Sequence, residues 1–238
     1  MLCLVVVTMM VTGCLSSDDD DDDEPVKPGD TLTETKDIEL GSASVVEVYL
    51  EQGSGDFQLA PGATKLMEAE FVFNIERWRP TVTYKEEGQV WNLSVIQPEQ
   101  DLRVEGNVRN EWDIMLGTDV PKELTVLLGA GDADVAASGL NITKLHINVG
   151  AGQLDLDLTG IWEEDLTAKL LAGTGDVQIR VPAGVGVKLT AILGVGDVTA
   201  NGFTKSGNVY TNGVYGTAPI TITIEANAGV GNIVVTEI

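Results

Sequence analysis

The chain is short of most of what catalysis and nucleic-acid binding use. Its 238 residues include two cysteines, one histidine and 5% aromatic residues. Both cysteines, Cys3 and Cys14, lie near the start. The body therefore has no disulfide, no thiol nucleophile and no Cys-ligated metal site. A lack of disulfides ordinarily suggests a reducing compartment, but a domain of this length folds without covalent staples, so that inference carries little weight. Basic residues are also scarce: 14 Lys and Arg stand against 37 Asp and Glu, a net charge of -23. Phosphate binding needs clustered Lys and Arg, so nucleic acid is excluded as a partner. Anionic headgroups are repelled as well, and attachment to a membrane requires an anchor. Such acidity suits a solvated surface, a high-salt habitat or cation binding, and charge alone does not choose among them.

The apolar run at the start, Leu2 to Val11, is about ten residues long. A bilayer span needs roughly 20, whereas the h-region of a secretory signal is this short. The run ends in Val11-Thr12-Gly13-Cys14, which resembles the bacterial lipobox. In that motif small residues fit the cleavage site and the thiol carries diacylglycerol. Each buried CH₂ is worth about 0.8 kcal/mol, so two or three acyl chains anchor stably. Cys14 is the expected lipid-attachment residue. No Lys or Arg precedes it, so the signal either begins upstream of Met1 or has a weak n-region. Ser16-Ser17, six Asp, then Glu24-Pro25 follow. This self-repelling stretch reads as an extended tether, and its lack of a fixed cage argues against calcium there.

Glycine is abundant, with 27 residues. Gly-x-Gly followed by a polar residue recurs at Gly53, Gly129, Gly150, Gly173, Gly194 and Gly229. The steps from the second copy to the fifth are 21, 23 and 21 residues; the last is 35, with Asn201–Gly216 as the excess. Fixed periods of this size mark repeat architectures. The flanks alternate with period two: Leu145, Ile147 and Val149; Leu154, Leu156 and Leu158; Val177, Ile179 and Val181; Val187, Leu189, Ala191 and Leu193; Ile220, Ile222 and Ile224. That pattern predicts strands with one wet face and no amphipathic helix. Each unit reads as strand, glycine corner, strand and polar turn, too small to bury its own apolar face without stacked neighbours. A β-solenoid or a stacked meander follows.

A phosphate-cradling loop needs a helix after its glycines, and strands follow here. Calcium-binding nonapeptide repeats recur every nine residues, not 21–23, so structural corners explain the glycines better than calcium does. The N-terminal half has longer predicted strands at Ile38–Glu51, Leu66–Asn74, Thr81–Glu86 and Gln89–Ile96, a hairpin turn at Glu86–Gln89 and a polar loop at Asp101–Asn110. Trp78, Trp91 and Trp112 cluster in it. Trp most often packs cores, but with polar neighbours it also forms sugar-binding platforms, so Trp78 and Trp91 are the candidate ligand-binding residues.

The chain is similar to the toast-rack family of bacterial and archaeal surface domains, related to adhesin-like β-repeat domains and to the extracytoplasmic part of envelope-stress regulators. The resemblance rests on Ile38-Glu39-Leu40-Gly41, Glu51-Gln52-Gly53-Ser54-Gly55-Asp56, Asn110-Glu111-Trp112-Asp113-Ile114, Asp119-Val120-Pro121, the later glycine corners and Asn212-Gly213-Val214-Tyr215-Gly216. It implies an all-β, solenoid-like fold without enzymatic activity, and roles in adhesion, scaffolding or stress signalling. The stress regulators carry transmembrane helices, so signalling transfers least well.

Four segments are expected: a signal at 1–13, an acidic tether at 14–34, an N-terminal β region at 35–118, and a β-repeat region at 119–238 packed against it. No catalytic residue, metal ligand or cofactor is expected. His146 lies between Lys144 and Asn148 on a polar strand face, and Asp132 with Asp134 or Asp155 with Asp157 are two carboxylate pairs among many. The expected protein is a membrane-anchored, extracytoplasmic lipoprotein for adhesion, scaffolding or envelope-associated interaction, with an envelope-protein or glycan partner, the alternatives being a calcium- or carbohydrate-binding module or an envelope-stress sensing partner. Asn92-Leu93-Ser94 and Asn141-Ile142-Thr143 match the glycosylation sequon, a pattern short enough to arise by chance.

Overall fold

The computed structural model describes residues 25–98 and 102–238. The Cys14 lipobox and the Asp18–Glu24 run lie outside the described residues.

Six long strands end at the glycine corners: β2 (Val45–Ser54), β8 (Lys122–Ala130), β10 (Ile142–Ala151), β12 (Leu166–Thr174), β14 (Gly186–Val195) and β18 (Thr221–Val230). Past each corner the chain continues as a shorter strand: β3 (Asp56–Pro61), β9 (Ala133–Ala136), β11 (Leu154–Asp157), β13 (Val177–Val181), β15 (Val198–Ala200) and β19 (Ile233–Glu237). The long strands belong to one sheet and the short ones to another. The remaining strands are β1 (Leu32–Ile38), β4 (Met67–Phe73), β5 (Thr81–Glu87), β6 (Val90–Ile96), β7 (Asn110–Leu116), β16 (Thr204–Ser206) and β17 (Val209–Thr211). The helix content among the described residues is one 3-10 turn, Glu76–Trp78. The architecture is all-β, as the alternation predicts.

Both sheets are open. One has nine strands in the order β1-β4-β7-β3-β9-β11-β13-β19-β15; the other has ten, β16-β17-β14-β18-β12-β10-β8-β2-β6-β5. At about 4.8 Å per strand the larger sheet is roughly 43 Å wide. One hydrophobic cluster draws on both sheets, with Leu145, Ile147 and Val149 from the ten-stranded sheet, Leu154 and Leu156 from the nine-stranded one and Leu158 just past it. β2 pairs with β8 and β3 with β9 in parallel, so residues on either side of position 118 build the same two sheets.

Spatial order follows chain order only from β8 to β13. At the far end β18 lies between β12 and β14, and β19 between β13 and β15. The long last step makes this possible: residues 201–216 form the hairpin strands β16 and β17, which close the outer side of β14 before the chain returns inward. At the near end β6 and β7 lie outside β2 and β3. The outermost strands are short or polar. β15 and β16 have three residues each, and β1 reads Leu-Thr-Glu-Thr-Lys-Asp-Ile. Such edges resist pairing with another chain.

Two N-terminal expectations change. The predicted strand Ile38–Glu51 is broken, because Gly41 at φ +64 turns the chain between β1 and β2. β1 itself escapes the period-two test because only one of its faces is covered, and only half so. The hairpin between β5 and β6 forms where expected, with Glu87 opposite Val90.

Asn212 ties the hairpin to the stack. Its side-chain oxygen accepts from the Val187 amide at 2.9 Å, and its nitrogen donates to the Val185 carbonyl and to Glu237 Oε1, both at 2.8 Å. Removing it orphans a buried amide and carbonyl. Asn212→Ala is expected to lower stability by about 1–3 kcal/mol in chemical denaturation; an unchanged midpoint would contradict this role.

Candidate functional site

The glycines, the most conspicuous sequence feature, sit where neighbouring backbones touch. A Cβ on Gly152 would lie 1.8 Å from the Gly131 carbonyl oxygen, and one on Gly175 would lie 1.8 Å from that of Gly152. Five of the corner amides are spent on the neighbouring unit: Gly55 donates to Ala130, Gly131 to Ala151, Gly152 to Thr174, Gly175 to Val230 and Gly231 to Val195, at 2.8–2.9 Å. None of these five amides is left to cradle a phosphate. The polar residues that follow are engaged in the same way. Asp132 Oδ1 accepts from the Gln153 amide, Asp176 Oδ1 from the Asn232 amide, and Asn232 Oδ1 from the Asp197 amide. The corners are therefore a structural column. No group of three or more His, Cys, Asp or Glu side chains suited to a metal ion occurs among the described residues.

Carboxylates line the outer face of the smaller sheet. Glu70, Asp113, Gln58, Asp134 and Asp155 are register neighbours across β4, β7, β3, β9 and β11. Within the Asp155–Asp157 pair, Asp157 accepts from the Thr159 amide and hydroxyl and from Arg180. Burial pushes the Asp157 carboxyl up, but Thr159 and Arg180 outweigh it and the net shift is downward. A carboxyl held ionised is no general acid. His146 sits half-buried on the outer face of the larger sheet, opposite Thr125 and Lys169.

The two candidate tryptophans do not form a platform together. Trp78 is 4% exposed in the 3-10 turn. Trp91 is half-buried on β6, 4.8 Å from the Tyr84 ring and against Gly41. Trp112 is in the core, edge-on to Phe71.

The fourth tryptophan is also half-buried and packed in part against the core, but it borders a groove. Trp162 lies in the loop between β11 and β12, at the end of the stack opposite the corners. Its indole N–H donates to the Leu158 carbonyl at 2.8 Å, which fixes the ring. Trp162 lines a groove of about 340 Å³ together with Thr118, Gly139, Asn141, Ile161, Glu163 and Glu164. Ile161 beside it is 88% exposed, the largest exposure of any bulky apolar residue described. Sequence reasoning missed this loop, although the spacing carried a trace of it. The step that contains it is 23 residues where its neighbours are 21.

Beneath the adjoining turn lies Lys122, wholly buried at the start of β8. Its ammonium donates to the Val120 carbonyl at 2.7 Å and, weakly, to that of Leu140. Burial lowers its pKa to about 8, although Asp119 pulls the other way.

The chain enters the fold at the corner end. The Val26 amide donates to Arg103, Glu105 donates back to Val26, and Leu32 pairs with Phe73. The loops around Trp162 are at the opposite end, one ten-residue strand or about 30 Å away.

Two open sheets joined by glycine corners, with an engaged corner column and a groove among the turn loops, define an all-β repeat domain. The chain belongs to the toast-rack family: the model for the N-terminal domain of toast-rack, DUF2154, matches residues 27–180. A candidate cell adhesion protein from Clostridium sporogenes is 30% identical, with a TM-score of 0.84 over 88% of this chain and 100% of that one. A candidate adhesin from Bacteroides fragilis matches at 14% identity and a TM-score of 0.37, over 89% of this chain and 100% of that one. No curated protein matches the chain.

Proposed function

We propose that this protein is a lipid-anchored, extracytoplasmic adhesion or scaffolding module without catalytic activity, its two sheets serving as a solenoid-like scaffold for loops. Cys14 carries the lipid and the acidic residues up to Glu24 form the tether, shorter than the expected 14–34 because Val26 and Leu32–Glu34 already pair within the fold, and the folded body is held off the membrane. The observation that carries the reading is the 30%-identical candidate cell adhesion protein, which the chain matches along all of that protein's length. Entry of the chain at the corner end agrees with it, because the turn loops then face away from the anchor. The partner is an envelope protein or a glycan on the outer side of the membrane.

Cell fractionation tests the anchor. The native protein is expected in the membrane fraction, released by detergent, and Cys14→Ala is expected to move it into the soluble extracytoplasmic fraction. Adhesion of cells displaying the native chain, compared with cells lacking it, tests the module. Equal adhesion with display verified would remove that role.

A further inference from the structure

We propose that the Trp162 groove is a saccharide site for neutral or amino sugars. This deepens the adhesion reading and rests on it for its biological use.

A sugar offers two chemistries: an apolar C–H face and a rim of hydroxyls. An aromatic ring takes the first, while carboxylates, amides and hydroxyls take the second. The groove supplies both sets. Trp162 provides the ring, already fixed by its bond to Leu158. Asn141, Thr118, Glu163 and Glu164 provide acceptors and donors around it. Its volume, about 340 Å³, falls within the roughly 300–1,000 Å³ of small-ligand sites. Charge selects among sugars. Two adjacent glutamates on a chain of net charge -23 disfavour sulfated sugars and uronic acids, and favour hydroxyls or an amine. The larger step of the repeat places Ile161 and Trp162 in this loop, whereas the shorter turn at 137–141 buries its apolar residue, Leu140. The grooves on the acidic sheet face have no comparable ring, since Phe57 and Trp112 there are 1% exposed.

The test uses the full chain and four probes: cellotriose, the trimers of N-acetylglucosamine and of glucosamine, and a heparin tetrasaccharide. The chain has four tryptophans, so its indole N–H signals in a nitrogen-correlated NMR spectrum are few enough to assign. Saturable movement of the Trp162 signal is expected with at least one neutral or amino trimer, and none with the heparin fragment. Trp162→Ala is expected to weaken binding roughly tenfold or more, and Trp162→Phe to retain most of it. Replacing both exposed carboxylates, Glu163→Gln with Glu164→Gln, keeps the fold and is expected to weaken glucosamine binding more than that of its N-acetylated form. No saturable binding of the three uncharged or amino trimers, or movement of Trp78, Trp91 or Trp112 in place of Trp162, would overturn the proposal. Displaying cells that still adhere while the trimers fail to bind would end the saccharide site and leave the adhesion reading intact.

Discussion

Gly152→Ala is expected to be among the most damaging single substitutions in this chain, costing about 3 kcal/mol or more. Two penalties act together. Gly152 holds φ at +137, a conformation L side chains rarely adopt, and such strain costs about 1–3 kcal/mol. The added methyl would also lie 1.8 Å from the Gly131 carbonyl oxygen. That oxygen belongs to backbone in the corner column and cannot swing aside. Relief requires parting β8–β9 from β10–β11, which breaks the ladder bonds that the corner amides make. Gly213→Ala is the matched control, since a Cβ there meets nothing within 4 Å and its φ is not positive. Denaturant midpoints should fall steeply for the first and barely move for the second. Similar midpoints would mean that the corner glycines are not what holds the stack in register.

Lys122→Met is expected to act in the opposite direction. The ammonium is buried with backbone carbonyls as its hydrogen-bond acceptors, and its pKa falls from 10.5 to about 8 in the folded state. A lysine with a depressed folded pKa destabilises the fold fully below pH 8, where it is charged in both states. Between pH 8 and 10.5 the folded protein sheds this proton while the unfolded chain keeps it, so stability rises. The whole penalty is about 3 kcal/mol. Methionine removes it but leaves the Val120 carbonyl and, at 3.5 Å, the weakly held Leu140 carbonyl without this donor, at about 1–2 kcal/mol together. The variant should therefore be about 1 kcal/mol more stable than the native chain at pH 6.5. Near pH 10 it should be less stable than the native chain. A difference between the two proteins that stays constant from pH 6.5 to 10 would mean that Lys122 is not titrating in the folded state.

The features legible in the sequence were local ones. Alternation identified Leu145, Ile147, Val149, Leu154, Leu156 and Leu158 as inward-facing, and all six are buried. The Gly-x-Gly spacing located six corners, and the long last step marked the β16–β17 hairpin. Neighbour choice was not legible. Nothing in the period-two pattern of Ile222 and Ile224 says that β18 slots between β12 and β14, because that depends on which sheets are already paired. The β6–β7 unit was hidden for a different reason. It lacks a glycine corner and uses side-chain amides in its place: Gln97 Oε1 accepts from the Gly53 amide at 3.0 Å and from Asn110 Nδ2 at 2.7 Å. For the site, a count of tryptophans favoured the N-terminal half, where Trp78 and Trp112 turn out to be buried. The two extra residues of the 23-residue step marked the Trp162 loop, since insertions at a turn are where a repeat can change its surface without disturbing its core.

Placement at the cell surface through Cys14 can be read from the mass of the native N-terminus. Intact-protein and peptide mass spectrometry on material from the native membrane should find the mature chain beginning at Cys14, carrying a diacylglyceryl group. A native chain that keeps residues 1–13 with an unmodified Cys14 thiol would contradict the account.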